Sequence, residues 1–107
     1  MKILIVDNNA TNLKILSMIL SKDGYEIKTA NSYDNAIAKM STSIDLVVID
    51  TNLDDKTGYD TCKAIKSIEE FKNIPIILIS RDLKTDDIVK AFAVGAKLAR
   101  KSAIFPS

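Results

Sequence analysis

Three short apolar runs, each closing on a polar residue, limit what this chain can fold into. Ile3-Leu4-Ile5-Val6 ends at Asp7, Leu46-Val47-Val48-Ile49 ends at Asp50, and Ile76-Ile77-Leu78-Ile79 ends at Ser80. Uninterrupted apolar runs of strand length are the mark of strands covered on both faces. Between them lie segments with helical spacing. Leu13, Leu16 and Leu20 recur at that spacing with Ile15 and Ile19 beside them, and Gly24 follows as a terminator. Tyr25 to Ala30 alternates and reads as a more polar edge strand.

Ser32 or Asn31 is placed to cap a second helix bearing Ala36, Ile37 and Met40. Gly58 opens a third, with Cys62, Ile65 and Ile68 on one face, and Pro75 resets the chain before the next strand. Thr85 is expected to cap a fourth helix, with Asp86 and Asp87 in its first turn and Ile88, Ala91 and Phe92 facing inward. Gly95 closes that helix, and a weaker segment runs from Leu98 to Phe105. Strands alternating with helices predict an α/β domain over residues 1–107, a doubly wound parallel sheet with right-handed crossovers.

Composition narrows the function. Lysine and arginine total 15 against 14 acids, so a nucleic-acid or anionic-membrane surface is not expected. Cys62 is the only cysteine and there is no histidine, which removes intrachain disulfides, histidine acid–base catalysis and histidine metal sites. The leading apolar run is too short for a signal peptide or a membrane span, so the cytoplasm is the expected location. Cys62, Met18, Met40 and Phe92 read as core, and Tyr25, Tyr33 and Tyr59 as packed rings with wet hydroxyls.

In such a sheet the functional crevice lies at the carboxyl ends of the strands. Asp7, Asp50 and Ser80 would meet there. Two carboxylates can hold a hard cation such as Mg²⁺, a hydroxyl can bind a phosphoryl oxygen, and a carboxylate can attack an activated phosphorus. Taken singly, each acid could equally be a solvated loop residue or a helix cap.

These segments resemble the receiver domains of two-component response regulators. Lys2 to Asn8 is similar to their opening, where an acidic pair follows the first strand. Asp50-Thr51-Asn52-Leu53, with Gly58 eight residues beyond Asp50, is similar to their phosphoacceptor segment, and Pro75 to Ser80 to their fourth strand. Asp87 to Ala96 resembles the fourth helix and the Gly-Ala pair after it.

The resemblance implies a flavodoxin-like receiver fold and a phosphorylation-dependent signalling function. Asp50 would accept a phosphoryl group from a sensor histidine kinase. Asp7, Asn8, Asp50 and Asn52 would hold Mg²⁺, Asn52 through its backbone carbonyl, and Ser80 would bind the phosphoryl group. Asn52 and Asp82 would influence dephosphorylation. An output domain or downstream protein would be the partner, and the chain would be a phosphoacceptor rather than an enzyme.

The departures are specific. Asn8 replaces the second acid of the pair, and also reads as a helix N-cap. Asp54 replaces a proline. The family's lysine falls seven residues after the glycine of Gly-Ala, but Ser102 stands there and Lys101 is one residue early. A bulge would bring Lys101 back to the site; otherwise Lys97 to Lys101 is a solvated basic run. Ala99 or Leu98 stands near the usual aromatic. Residues 97–107 are therefore atypical, and the last helix of the fold is expected to be missing, which would bare an apolar sheet face and favour a homodimer. The alternative function is a pseudo-receiver, an interaction module that takes no phosphate. A small phosphoaspartyl hydrolase is a third reading, and it would need further acidic and basic groups near Asp50.

Overall fold

The structure is a computed structural model that describes residues 1–53, 55–81 and 84–101. The expectations for Asp54, Asp82, Ser102 and Phe105 fall outside the described residues. In chain order the elements are β1 (Lys2–Val6), α1 (Ala10–Lys22), β2 (Glu26–Ala30), α2 (Tyr33–Lys39), β3 (Leu46–Asp50) and α3 (Gly58–Lys66). A 3₁₀ turn (Glu69–Phe71), β4 (Ile76–Ser80), α4 (Thr85–Ala93) and β5 (Lys97–Arg100) follow.

All five strands join one parallel sheet in the order β2-β1-β3-β4-β5. The three apolar runs form the three central strands, and the alternating segment lies at one edge. Because strand side chains alternate in direction, each central strand feeds two cores. Leu4, Val6, Val47, Ile49, Ile76 and Leu78 pack on one face against Ala36, Cys62, Ile65 and Ala91 of α2, α3 and α4. Ile3, Ile5, Val48 and Ile79 pack on the other face, around Leu16 of α1.

Among the described residues α1 is the one helix on that second face. Beside it runs an apolar groove of about 400 Å³ lined by Ile3, Leu16, Ile19, Leu20, Leu46, Val48 and Ile77.

Several expectations are corrected. Asn9, not Asn8, caps α1, its side chain accepting from the Asn12 N–H at 3.0 Å. Ser32 caps α2. Thr85 is the first residue of α4 rather than its cap; the Asp87 carboxylate accepts from the Lys84 N–H at 3.2 Å instead. Ile68 lies beyond the end of α3 and is half-buried.

Phe92 is 87% exposed, Met18 63% and Ile88 56%, so none of the three is core. Only Ala91 of α4 is buried, because that helix meets the sheet near its edge through a narrow stripe. Cys62 is fully buried.

Candidate functional site

The register brings the polar strand ends to one level. Val6 pairs with Ile49, so Asp7 and Asp50 are neighbours just past that pair. Asp50 pairs with Ile79, and Ser80 is the next residue of β4. The chain leaves β1 toward β2 on one side and returns to β3 on the other, so the divide between β1 and β3 is where the connections separate. A crevice at such a divide is the usual ligand position in an open α/β sheet. Asp7, Asp50 and Ser80 are each only 5% exposed.

Buried carboxylates must be satisfied. The Asn9 N–H donates to Asp7 Oδ1 at 2.9 Å and Asn12 Nδ2 donates to Oδ2 at 3.3 Å. The Asn52 N–H donates to Asp50 Oδ1 at 2.8 Å. The other oxygen of Asp50, Oδ2, accepts from Lys101 Nζ at 2.9 Å.

That last contact decides between the two expectations for Lys101. β5 ends at Arg100, which pairs with Ser80, so Lys101 lies just past the ladder. A residue beyond the last pair is not bound to the strand's alternation, and Lys101 turns into the site without a bulge in β5. Its side chain is 20% exposed, which sets it apart from a solvated basic run.

Burial pushes the Asp7 carboxyl above its ordinary value; the Asn9 N–H opposes this, the Asp50 charge adds to it, and Lys101 and Asn12 pull it back. Among the described residues the hollow therefore holds two acids against one close cation. Asn8 and Asn52 are exposed beside the two acids, with the Asn52 backbone bridged to Thr57. Among the described residues no group of three or more acidic, histidine or cysteine side chains could enclose a metal. The donors that Asp7 and Asp50 present are oxygens, the kind that a hard cation would take.

The loop after Asp50 is closed by glycine. Gly58 donates to the Thr51 carbonyl at 2.9 Å, and a Cβ built on it would lie 2.2 Å from the Asp50 carbonyl oxygen. Only a residue without a side chain lets α3 begin this close to the strand end. The spacing in the sequence marked this glycine; nothing in the sequence marked the partner of Tyr59. Its hydroxyl donates to Asp87 Oδ1 at 2.8 Å, where a wet hydroxyl was expected.

Comparison with known proteins agrees with this geometry. The response regulator receiver domain family matches residues 3–99. The chemotaxis protein CheY of Pseudomonas aeruginosa is 33% identical over 98 residues, covering 89% of this chain and 78% of that protein. The transcriptional regulatory protein ResD of Bacillus subtilis is 33% identical over 95 residues, 88% of this chain but 38% of ResD. Among solved structures, the chemotaxis response regulator CheY4 of Vibrio cholerae superposes with a TM-score of 0.89 at 28% identity, covering 94% of this chain and 85% of that one. The BeF₃-activated DrrB receiver domain superposes with a TM-score of 0.82 at 27% identity, covering 94% of this chain and 83% of that one. The chain belongs to the response regulator receiver domain family.

Proposed function

We propose that the chain is a phosphorylation-dependent signalling receiver that takes a phosphoryl group on Asp50 from a sensor histidine kinase. The observation that carries this reading is the convergence of Asp7, Asp50 and Ser80 at the carboxyl ends of three adjacent central strands, with Lys101 Nζ 2.9 Å from Asp50 Oδ2.

An Asp50 carboxylate oxygen attacks the phosphorus of a phosphohistidine in line. A P–O bond forms as the P–N bond breaks, the imidazole leaves with a proton from solvent, and an acyl phosphate remains on Asp50. The Asn52 N–H fixes one carboxylate oxygen during the attack, and Lys101 follows the charge onto a phosphoryl oxygen. Ser80, at the next strand end, offers its hydroxyl to another. Later attack of water on the phosphorus restores the carboxylate and releases inorganic phosphate.

Asp7 and Asp50, with Asn8 and the Asn52 carbonyl, are the residues that would hold Mg²⁺. When bound, Mg²⁺ neutralises charge on the acids and the phosphoryl oxygens. An amide at Asn8 supplies an oxygen but no charge, so weaker Mg²⁺ binding than at a site with two paired acids is expected. The chain is a phosphoacceptor rather than an enzyme acting on a separate substrate. Its phosphorylation state would be read by an output domain or a downstream protein. The cytoplasm is the compartment in which a sensor histidine kinase would phosphorylate it. The apolar groove beside α1 is where a homodimer would form.

The test is incubation with acetyl phosphate and Mg²⁺, read by intact mass, with beryllofluoride titration alongside. A gain of one phosphoryl group that Asp50→Asn abolishes is expected. No gain and no beryllofluoride response at millimolar Mg²⁺ would turn the assignment to a pseudo-receiver that acts by binding alone.

A further inference from the structure

Next to Ser80 and Asn52 a polar pocket of about 750 Å³ opens between the starts of α3 and α4. Tyr59, the second residue of α3, and Asp87, in the first turn of α4, meet across it, the phenol donating to Oδ1 at 2.8 Å. The other Asp87 oxygen accepts the Lys84 N–H at 3.2 Å, so this carboxylate is held by its own helix start and by the opposite helix. Lys90, one turn further, lies 5.7 Å from the centre of the Tyr59 ring and pairs with Asp86 at 3.0 Å. The phenol is pushed well above its ordinary value, first by burial and then by Asp87, while Asp87 is pulled down first by the phenol. Both directions are those of a hydroxyl donating to a carboxylate.

The two lips joined in this way lead directly to the phosphoryl site. α3 begins at Gly58, packed on the Asp50 carbonyl, and α4 follows the strand that ends at Ser80. We propose that Tyr59 is a positioning residue: its hydrogen bond to Asp87 ties the first turn of α4 to α3, and so fixes the separation between the Asp50 and Ser80 sides of the site. What is positioned rests on the phosphoryl reading of Asp50 and Ser80; the tie itself does not.

The experiment has two arms. Amide hydrogen exchange is measured first, with no phosphoryl donor present, on the wild type, Tyr59→Phe and Asp87→Asn. Tyr59→Phe keeps the ring, its Lys90 neighbour and the Asp87 contact to Lys84, and removes only the donated hydrogen bond. Exchange of the first α4 amides should rise about five- to tenfold while the central strands keep their protection, as expected for loss of one partly exposed hydrogen bond to a carboxylate. Asp87→Asn has one acceptor oxygen for the two donors, the Tyr59 hydroxyl and the Lys84 N–H, and should raise exchange of the same amides at least as much. Beryllofluoride with Mg²⁺ is then titrated, and Tyr59→Phe should move the midpoint by about threefold or more.

Unchanged α4 exchange in Tyr59→Phe overturns the proposal. So does raised exchange with an unmoved midpoint in a protein whose wild type responds. If exchange rises but the wild type never responds to beryllofluoride, the tie between α3 and α4 stands and the phosphoryl reading of Asp50 fails.

Discussion

Replacing Gly58 by alanine sets two effects of opposite sign against each other. Alanine is the better helix former, by about 1 kcal/mol in a helix interior and by less at a first helical residue. Against this, the new Cβ would lie 2.2 Å from the Asp50 carbonyl oxygen, 2.9 Å from its carbonyl carbon and 2.8 Å from the Thr51 Cα. All three are backbone atoms, so no side-chain rotation relieves the clash. Carbon–oxygen contacts normally begin at about 3.3 Å, so α3 and the strand end must separate by about 1 Å.

Overpacking of this kind costs about 1–3 kcal/mol, and the movement also stretches the hydrogen bond from the Gly58 N–H to the Thr51 carbonyl, worth about 1 kcal/mol. The clash wins, with a net loss of about 2–3 kcal/mol. In urea, with a slope of about 1.5 kcal/mol/M for a domain this size, the midpoint should fall by about 1.3–2 M. Gly95→Ala is the control: its φ of +75° disfavours a side chain, but its Cβ would meet only Lys66 side-chain atoms at 3.5 and 3.6 Å. That change should cost about 1–2 kcal/mol through the backbone alone, less than Gly58→Ala. Acetyl phosphate labelling should also slow in Gly58→Ala, because the displaced backbone carries Asp50. A Gly58→Ala midpoint within about 0.3 M of wild type would refute the packing argument.

Lys101→Met leaves the buried Asp50 carboxylate beside Asp7 without its close cation, and should cost about 1–3 kcal/mol at pH 7 in urea unfolding. Most of that loss should vanish when Asp50→Asn is already present, as a double-mutant cycle would reveal. Burial pushes the Cys62 thiol from 9.0 up to about 11, so the folded state holds its proton more tightly than the unfolded chain does. Its contribution is fully present below pH 9.0 and is lost as pH rises through about 11, a fall of about 2–3 kcal/mol that a Cys62→Ala protein should lack when both are unfolded in urea across that window. Phe92→Ser should change stability by less than about 0.5 kcal/mol despite the size of the ring, because the residue is 87% exposed; a thermal melt shifted by many degrees would contradict its placement.

Much of this architecture could be read from residues 3–6, 46–49 and 76–79, whose continuous apolarity requires cover on both faces and so a parallel sheet. The meeting of Asp7, Asp50 and Ser80 follows once those strands are adjacent and in register. Helix faces were harder. Ile88 and Phe92 share helical spacing with Ala91, but the spacing says nothing about how wide a stripe the sheet edge can cover, and only the small residue fits against it. Lys101 was ambiguous because strand alternation governs residues only while they remain in the ladder. The Tyr59 and Asp87 pair is a contact between side chains 28 residues apart, which no local pattern encodes.

The charges of the hollow come from elements of unequal firmness. Asp7 and Asp50 extend from strands with neighbours on both sides, whereas Lys101 follows β5, which has β4 on one side only. Peeling of a border strand takes far less free energy than opening the middle of a sheet. The acids therefore stay put while their counter-charge can come and go with the border, and brief detachment of β5 would leave both acids without their close cation while the rest stays folded. Whatever grips or loosens that border would thereby adjust how strongly the acids draw the divalent ion proposed for them.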